Sequence, residues 1–173
     1  MFRQLRTQRF PRRIRCGVAG AVLLLAVLSG CGFHLQGRAP LPEVLAVTFI
    51  DAEDLQSDFV LGLRRALLAS GARLTENRKE ATAVVRVHTD EVTERVLSVS
   101  ARNLPREYEL THTVRFSVTA GEKSLLDEQE VSLSRDFSFD ERVLLAKEEE
   151  EAILREALAR DLVGIVMRRL ASL

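Results

Sequence analysis

Hydrophobic and polar residues alternate without a break over residues 107–120. Tyr108, Leu110, His112, Val114, Phe116, Val118 and Ala120 fall on one side. Glu107, Glu109, Thr111, Thr113, Arg115, Ser117 and Thr119 fall on the other. A period of two over that length predicts a strand with one face on a core and the other in water. Gly121-Glu122-Lys123-Ser124 then forms a tight connection into residues 125–137, where Val131, Leu133 and Phe137 alternate with Ser132, Ser134 and Asp136. The two runs predict an antiparallel hairpin. Upstream, residues 83–93 set Val85, Val87 and Thr89 against Arg86, His88 and Asp90. Residues 44–50 are almost continuously apolar between Pro42 and Asp51, which predicts a short strand buried on both faces.

Two segments carry the helical period instead. Ser57 offers an N-cap and Asp58 an acid for the first turn, and Phe59, Leu63, Ala66, Leu67 and Ser70 recur at three- and four-residue steps before Gly71. These predict a helix over residues 58–70. A second helix is predicted over residues 140–171, with Leu154, Leu158, Leu162 and Ile165 as its buried stripe. Its acids, Glu148 to Glu151, lie toward the N-terminus and Arg168-Arg169 toward the C-terminus, as the helix dipole favours. The order β-α-β-β-β-α predicts an α+β two-layer sandwich: two helices packed on one face of a four-stranded mixed sheet.

The first thirty residues do not belong to that domain. Residues 1–15 hold six arginines and no acid, residues 17–28 are almost wholly apolar, and Leu28-Ser29-Gly30-Cys31 follows. A basic stretch, a short apolar stretch and small residues at the cut describe an export signal. The cysteine directly after Ser-Gly makes it a lipoprotein signal. The Cys31 thiol takes a diacylglyceryl group, and cleavage before it frees an amine for a further acyl chain, so the anchor is stable. The apolar stretch is short of the roughly 20 residues a transmembrane helix needs. Residues 1–30 are thus a cleaved signal, 31–42 a lipidated tether rich in Gly and Pro, and 43–173 one domain. Gly32, rather than aspartate, follows the lipid site, and by the sorting habit of Gram-negative lipoproteins this directs the protein to the outer membrane.

Cleavage changes the charge. The full chain is neutral, but six of its 25 basic residues leave with the signal, so 19 remain against 25 acids at a net charge of −6. A general electrostatic grip on nucleic acid is excluded, and any anion must be held by a local group of cations. Cys16 is discarded and Cys31 acylated, which leaves no disulfide or free thiol. No phosphate loop, G-x-S-x-G or H-E-x-x-H occurs, and His34, His88 and His112 have no second ligand at metal spacing. His112 faces inward and reads as a satisfied core or edge histidine. The run Glu148 to Glu151 reads as a solvated helix face, since adjacent carboxylates spread around a helix. The chain therefore reads as a binding or assembly protein with no enzymatic activity, cofactor or metal; a convergent Ser, His and Asp cluster would be needed to revive an enzyme.

Two segments invite function. Residues 99–108 join two strands and put Arg102 and Arg106 beside Leu104 at a turn. Arginines on a loop tip can make paired hydrogen bonds to phosphate; the plainer reading is a solvated turn. In residues 137–147, Phe137 and Phe139 precede a helix start and Lys147 follows inside an acidic helix. The aromatics either pack the last strand beneath the helix or mark a partner surface.

Three motifs stand in series: Cys31-Gly32-Phe33-His34-Leu35-Gln36-Gly37, Arg106-Glu107-Tyr108-Glu109-Leu110, and Arg135-Asp136-Phe137-Ser138-Phe139-Asp140-Glu141 with Leu145-Ala146-Lys147-Glu148. Together they resemble the LptE family, lipoproteins that work with the outer-membrane barrel LptD in lipopolysaccharide assembly. Leu158, Asp161-Leu162 and Arg168-Arg169-Leu170 match as well. The resemblance spans the mature chain and implies two helices on a four-stranded sheet. It further implies a non-catalytic plug inside an LptD-type barrel that aids the barrel's assembly and binds lipopolysaccharide. The family's basic ligand positions fall on Arg102 and Lys147, with Arg106 beside them. The competing reading is a structural lipoprotein of another outer-membrane machine with no glycolipid ligand.

Overall fold

The computed structural model describes residues 41–138 and 144–173, with residues 144–148 described by their backbone. The signal, Cys31, the tether as far as Pro40, and residues 139–143, where Phe139 and the expected start of the last helix fall, lie outside the described residues. A 3₁₀ turn, Glu43–Leu45, leads into β1 (Val47–Asp51), α1 (Asp58–Ala69), β2 (Arg73–Leu74), β3 (Ala83–Val99), β4 (Pro105–Ala120), β5 (Lys123–Ser138) and α2 (Leu144–Leu170). The sheet runs β2-β1-β3-β4-β5. β1 is parallel to both its neighbours, and the β3-β4-β5 meander is antiparallel.

The α+β class, the two helices and the mixed sheet agree with the sequence pattern, but the sheet has five strands rather than four. The extra one, β2, is two residues long and too short for any periodicity to register. It is held as an edge to β1 by Arg73 N–H donating to the Ala46 carbonyl at 2.8 Å and Thr75 N–H donating to the Thr48 carbonyl at 3.1 Å. β1 is also shorter than the apolar run that predicts it. Val44 and Leu45 lie in the 3₁₀ turn, and only Thr48 and Ile50 are buried in the strand, with Val47 and Phe49 half-buried. Burial is one-sided because the core lies on one face of the sheet.

That core joins Ile50, Val85, Val87, Val114, Phe116 and Val118 of the sheet to both helices. α1 begins where Ser57 Oγ accepts a hydrogen bond from Val60 N–H at 3.1 Å, and it buries Phe59, Val60, Leu63 and Leu67. It ends one residue earlier than expected, with Ser70 as the C-cap and Gly71 at φ +92°. α2 buries Leu158, Leu162, Val166 and Leu170, with Leu154 and Ile165 half-buried. The two helices meet closely at Gly62: a Cβ there would stand 3.1 Å from Val163 Cγ2. Replacing Gly62 by leucine is expected to overpack this crossing and cost about 1–3 kcal/mol, measured by thermal unfolding.

β4 buries every inward residue from Tyr108 to Val118, as its alternation predicts. β3 departs from its pattern. The ladder passes from Val87↔Phe116 to Thr89↔Arg115, so His88 is an extra residue in a bulge. A bulge shifts the alternation of everything beyond it. Thr89 therefore turns to the wet face, where Arg115 Nε donates to its Oγ1 at 3.0 Å, and Asp90 turns inward. This reverses the facing expected for Thr89 and Asp90. Two further register shifts fall in the β5 half of the last hairpin, near Asp127–Glu128 and near Leu125. That hairpin closes through Gly121 and Glu122, with Gly121 at φ +58°, a backbone geometry that glycine adopts freely.

Candidate functional site

The β3–β4 hairpin ends in a tight turn over residues 100–104. Ser100 N–H donates to the Leu104 carbonyl at 2.7 Å and Asn103 N–H to the Ser100 carbonyl at 2.9 Å. Leu104 N–H donates to Ser100 Oγ at 3.2 Å. Asn103 takes φ +60°, a left-handed conformation that asparagine tolerates better than most residues. Arg102 stands exposed in this turn, and Arg106 stands exposed as the second residue of β4. Neither has an ion-pair or hydrogen-bond partner among the described residues. Arg95, lower on the same hairpin, is paired to Glu109 at 2.9 Å, and Glu107 accepts from Ser98 Oγ at 2.6 Å.

Lys147 lies in the first turn of α2. Farther along that helix, Leu154 and Leu158 pack on a small second core of Tyr108, Leu110 and Phe137. The N-terminal half of α2 thus lies over the end of the sheet that carries the β3–β4 tip. β4 and β5 come together there too, with Glu107 opposite Ser138. The structure therefore brings Arg102 and Arg106 onto one tip and sets the start of α2, with the Lys147 backbone, at the same end of the sheet. Phe137 is buried and stacks on Tyr108 with ring centroids 5.4 Å apart and planes 16° apart. It packs the last strand, as the plainer of its two readings holds, and is no exposed partner surface. Glu149 and Glu150 are exposed, and Glu151 is paired within the helix to Arg155 at 2.6 Å, a solvated acidic face.

A Ser, Asp and His cluster does converge, at a place the pattern of residues does not reveal. His112, 3% exposed, has Nε2 2.6 Å from Asp90 Oδ1. Ser57 Oγ donates to Asp90 Oδ2 at 2.5 Å while capping α1, and Phe59 meets the imidazole edge-on. In a hydrolase triad the imidazole lies between hydroxyl and carboxylate and takes the hydroxyl proton. Here the carboxylate lies between them, the hydroxyl is committed to Asp90 and to Val60 N–H, and the histidine is buried. The cluster is a clasp that ties the start of α1 to β3 and β4. Among the described residues, no group of three or more His, Cys, Asp or Glu could hold a metal.

The opposite face of the sheet is polar and cross-linked strand to strand. The Thr111 and Ser134 hydroxyls lie 2.8 Å apart and those of Thr113 and Ser132 lie 2.9 Å apart. His88 Nε2 lies 2.8 Å from Ser117 Oγ, and Arg115 pairs with Glu128 at 3.3 Å. Such a face suits a wet, polar enclosure.

The sequence model of the family described as "LptE: Lipopolysaccharide-assembly" matches residues 43–170, nearly the entire described domain. The chain belongs to the LptE family. It is 25% identical over 155 residues, 88% of its own length and 84% of the relative's, to the LPS-assembly lipoprotein LptE of Pectobacterium atrosepticum. The solution structure of lipoprotein B from Nitrosomonas europaea is similar at TM-score 0.68 and 26% identity, over 82% of this chain and 91% of that one. The crystal structure of rare lipoprotein B from Shewanella oneidensis shares the fold at TM-score 0.64 and 22% identity, over 73% and 94%. LptE family membership thus accords with the order of elements and with the resemblance read from the three motifs.

Proposed function

We propose that this LptE-family chain is a lipopolysaccharide-assembly lipoprotein of the outer membrane. It is held there through acylated Cys31, is not an enzyme, and works as a plug within an LptD-type β-barrel, aiding the barrel's assembly and binding lipopolysaccharide. The match to the LptE family over residues 43–170 carries this reading. The hydrogen-bonded polar face of the β3-β4-β5 meander supports the plug, because a barrel lumen is polar. Arg102 and Arg106, which have no partner among the described residues, and the start of α2 with Lys147 at the same end of the sheet support ligand contact through phosphate. Lipid A and its inner core carry dense phosphate, and arginine can hold a phosphate with two parallel hydrogen bonds. A mature net charge of −6 at the same time discourages indiscriminate anion binding.

The test is affinity purification of the tagged, lipidated protein from outer membranes, with its partners identified by mass. One large β-barrel of the LptD type is expected in a 1:1 complex. Recovery of the protein alone, or with another envelope machine, would remove the barrel and lipopolysaccharide roles while leaving the family and fold in place.

A further inference from the structure

One side of β3 is largely without a neighbour. β1 pairs with it only from Ala83 to Arg86. The chain then leaves β1 after Asp51 and turns into α1, whose cap Ser57 is held by Asp90. Among the described residues no other strand pairs with β3 on that side. From Thr89 to Val96 the ladder to β4 advances one residue at a time, so the backbone is regular there and its outer amides and carbonyls recur at a constant spacing. Thr93, Glu94, Arg95, Val96 and Leu97 are all exposed, whichever face they point to. Natural sheets blunt a long edge with bulges, charge or a covering element. β5, at the opposite edge, has such defences: its ladder slips in the first half, and Arg135 in the second half is tied to Asp161 of α2 at 2.7 Å. The outer side of β3 instead carries exposed Val96 and Leu97.

Water completes such a row of amides in the free domain. In a complex, another polypeptide strand matches its spacing: the main chain supplies hydrogen bonds and alternate side chains supply specificity. The residues along the row describe that strand. Val92 packs half-buried on the second core, and Val96 lies opposite Tyr108 on the same face. Glu91 lies on the wet face, and its side chain has no ion-pair or hydrogen-bond partner among the described residues. An added strand thus sets apolar residues beside Val92 and Val96 and a lysine or arginine beside Glu91. This edge is also continuous with the polar face of the meander, which the plug reading sets against a barrel lumen. We propose that the outer edge of β3, from Glu91 to Val96, takes an extended segment of the barrel's chain as a sixth strand. A closed barrel leaves no free edge in its wall, so the segment comes from outside the wall. The proposal rests on the barrel partnership above and adds where and how the two chains join.

The experiment compares residue-resolved amide hydrogen exchange in the full lipidated protein, purified alone and with its co-expressed barrel. Alone, the outward-pointing amides between Glu91 and Val96 are expected to exchange fast and those bonded to β4 slowly. In the complex the fast ones should slow by at least roughly a hundred-fold. Val96→Lys, which sets a charge on the edge where the added strand would lie, should lower barrel recovery and restore fast exchange. A photo-crosslinker at Thr93, and then at Glu91, should capture one segment outside the wall, with the captured residue shifted by two. That arm and the exchange of the unsubstituted protein decide the matter even if Val96→Lys fails to fold. A recovered complex whose Glu91–Val96 amides exchange as in the free protein would overturn strand addition and leave the barrel partnership standing. Equal slowing along the first half of β5 would also overturn it, because general enclosure would then be the cause. Slowing that appears without the barrel and grows with protein concentration would overturn it in favour of a second copy on this edge. Failure to recover any barrel would overturn the partnership itself.

Discussion

Replacing Asp90 by alanine is expected to destabilise the domain by about 3 kcal/mol, far more than removal of an ordinary surface acid. Asp90 accepts from Ser57 and faces His112 Nε2, so its loss strips two partners at once. The imidazole already has Nδ1 buried without a hydrogen-bond partner among the described residues; without Asp90 neither ring nitrogen has one there, at the full desolvation cost of each. The hydroxyl that caps α1 loses its acceptor as well. Urea unfolding should show the loss as a lower midpoint at unchanged slope. Asp90→Asn, which keeps an acceptor oxygen and adds a donor, should recover part of it. A cycle pairing Asp90→Ala with Ser57→Ala should be strongly non-additive, since both remove the same bond. A loss below about 1 kcal/mol in Asp90→Ala would mean that the clasp is solvated and does not secure α1.

The second large effect is on the ligand. Arg102→Asp with Lys147→Asp is expected to weaken lipopolysaccharide binding by roughly ten- to a hundred-fold, the loss of one to two charge-assisted contacts, with no loss of stability. Arg102 is exposed and makes no bond among the described residues, so reversing it removes nothing that holds the turn. Lys147 lies in the first turn of α2, where an acid suits the helix dipole better than a lysine does. An unchanged melting curve with reduced affinity is the expected pair of results. Unchanged affinity would remove both residues from the ligand site.

The strongest element, β4, was readable because a core lies on one face from Tyr108 to Val118, so burial writes itself into every second residue there. The two helices were readable for the same reason at a period of 3.6. What escaped did so for local reasons. β2 is two residues of backbone pairing and carries no pattern. β3 beyond Thr93 runs past the core, so Val96, Leu97 and Val99 are apolar without being buried. Burial cannot print a period there, and the strand extends to Val99 only because β4 pairs with it. The clasp at Asp90 was hidden by one inserted residue. With His88 counted as a regular strand position, Asp90 falls on the wet face; the bulge puts it beneath α1, opposite Val114. The arginines of the tip were legible as residues at a turn, but the pattern does not show that Ser98 and Arg95 occupy the neighbouring acids Glu107 and Glu109, which leaves Arg102 and Arg106 without a partner among the described residues.

The register shifts in the last hairpin bear on the time before any partner is met. β5 is sixteen residues long and closes one side of the sheet, and a straight strand of that length would be an open template for another chain. Its first half is not straight. The ladder slips near Leu125 and again near Asp127–Glu128, and Lys123, Asp127, Glu128 and Glu130 add charge along the same stretch. Evenly spaced donors and acceptors are what an incoming strand requires, and that half does not supply them. The irregularity protects the partner-free domain from pairing edge to edge with its own copies.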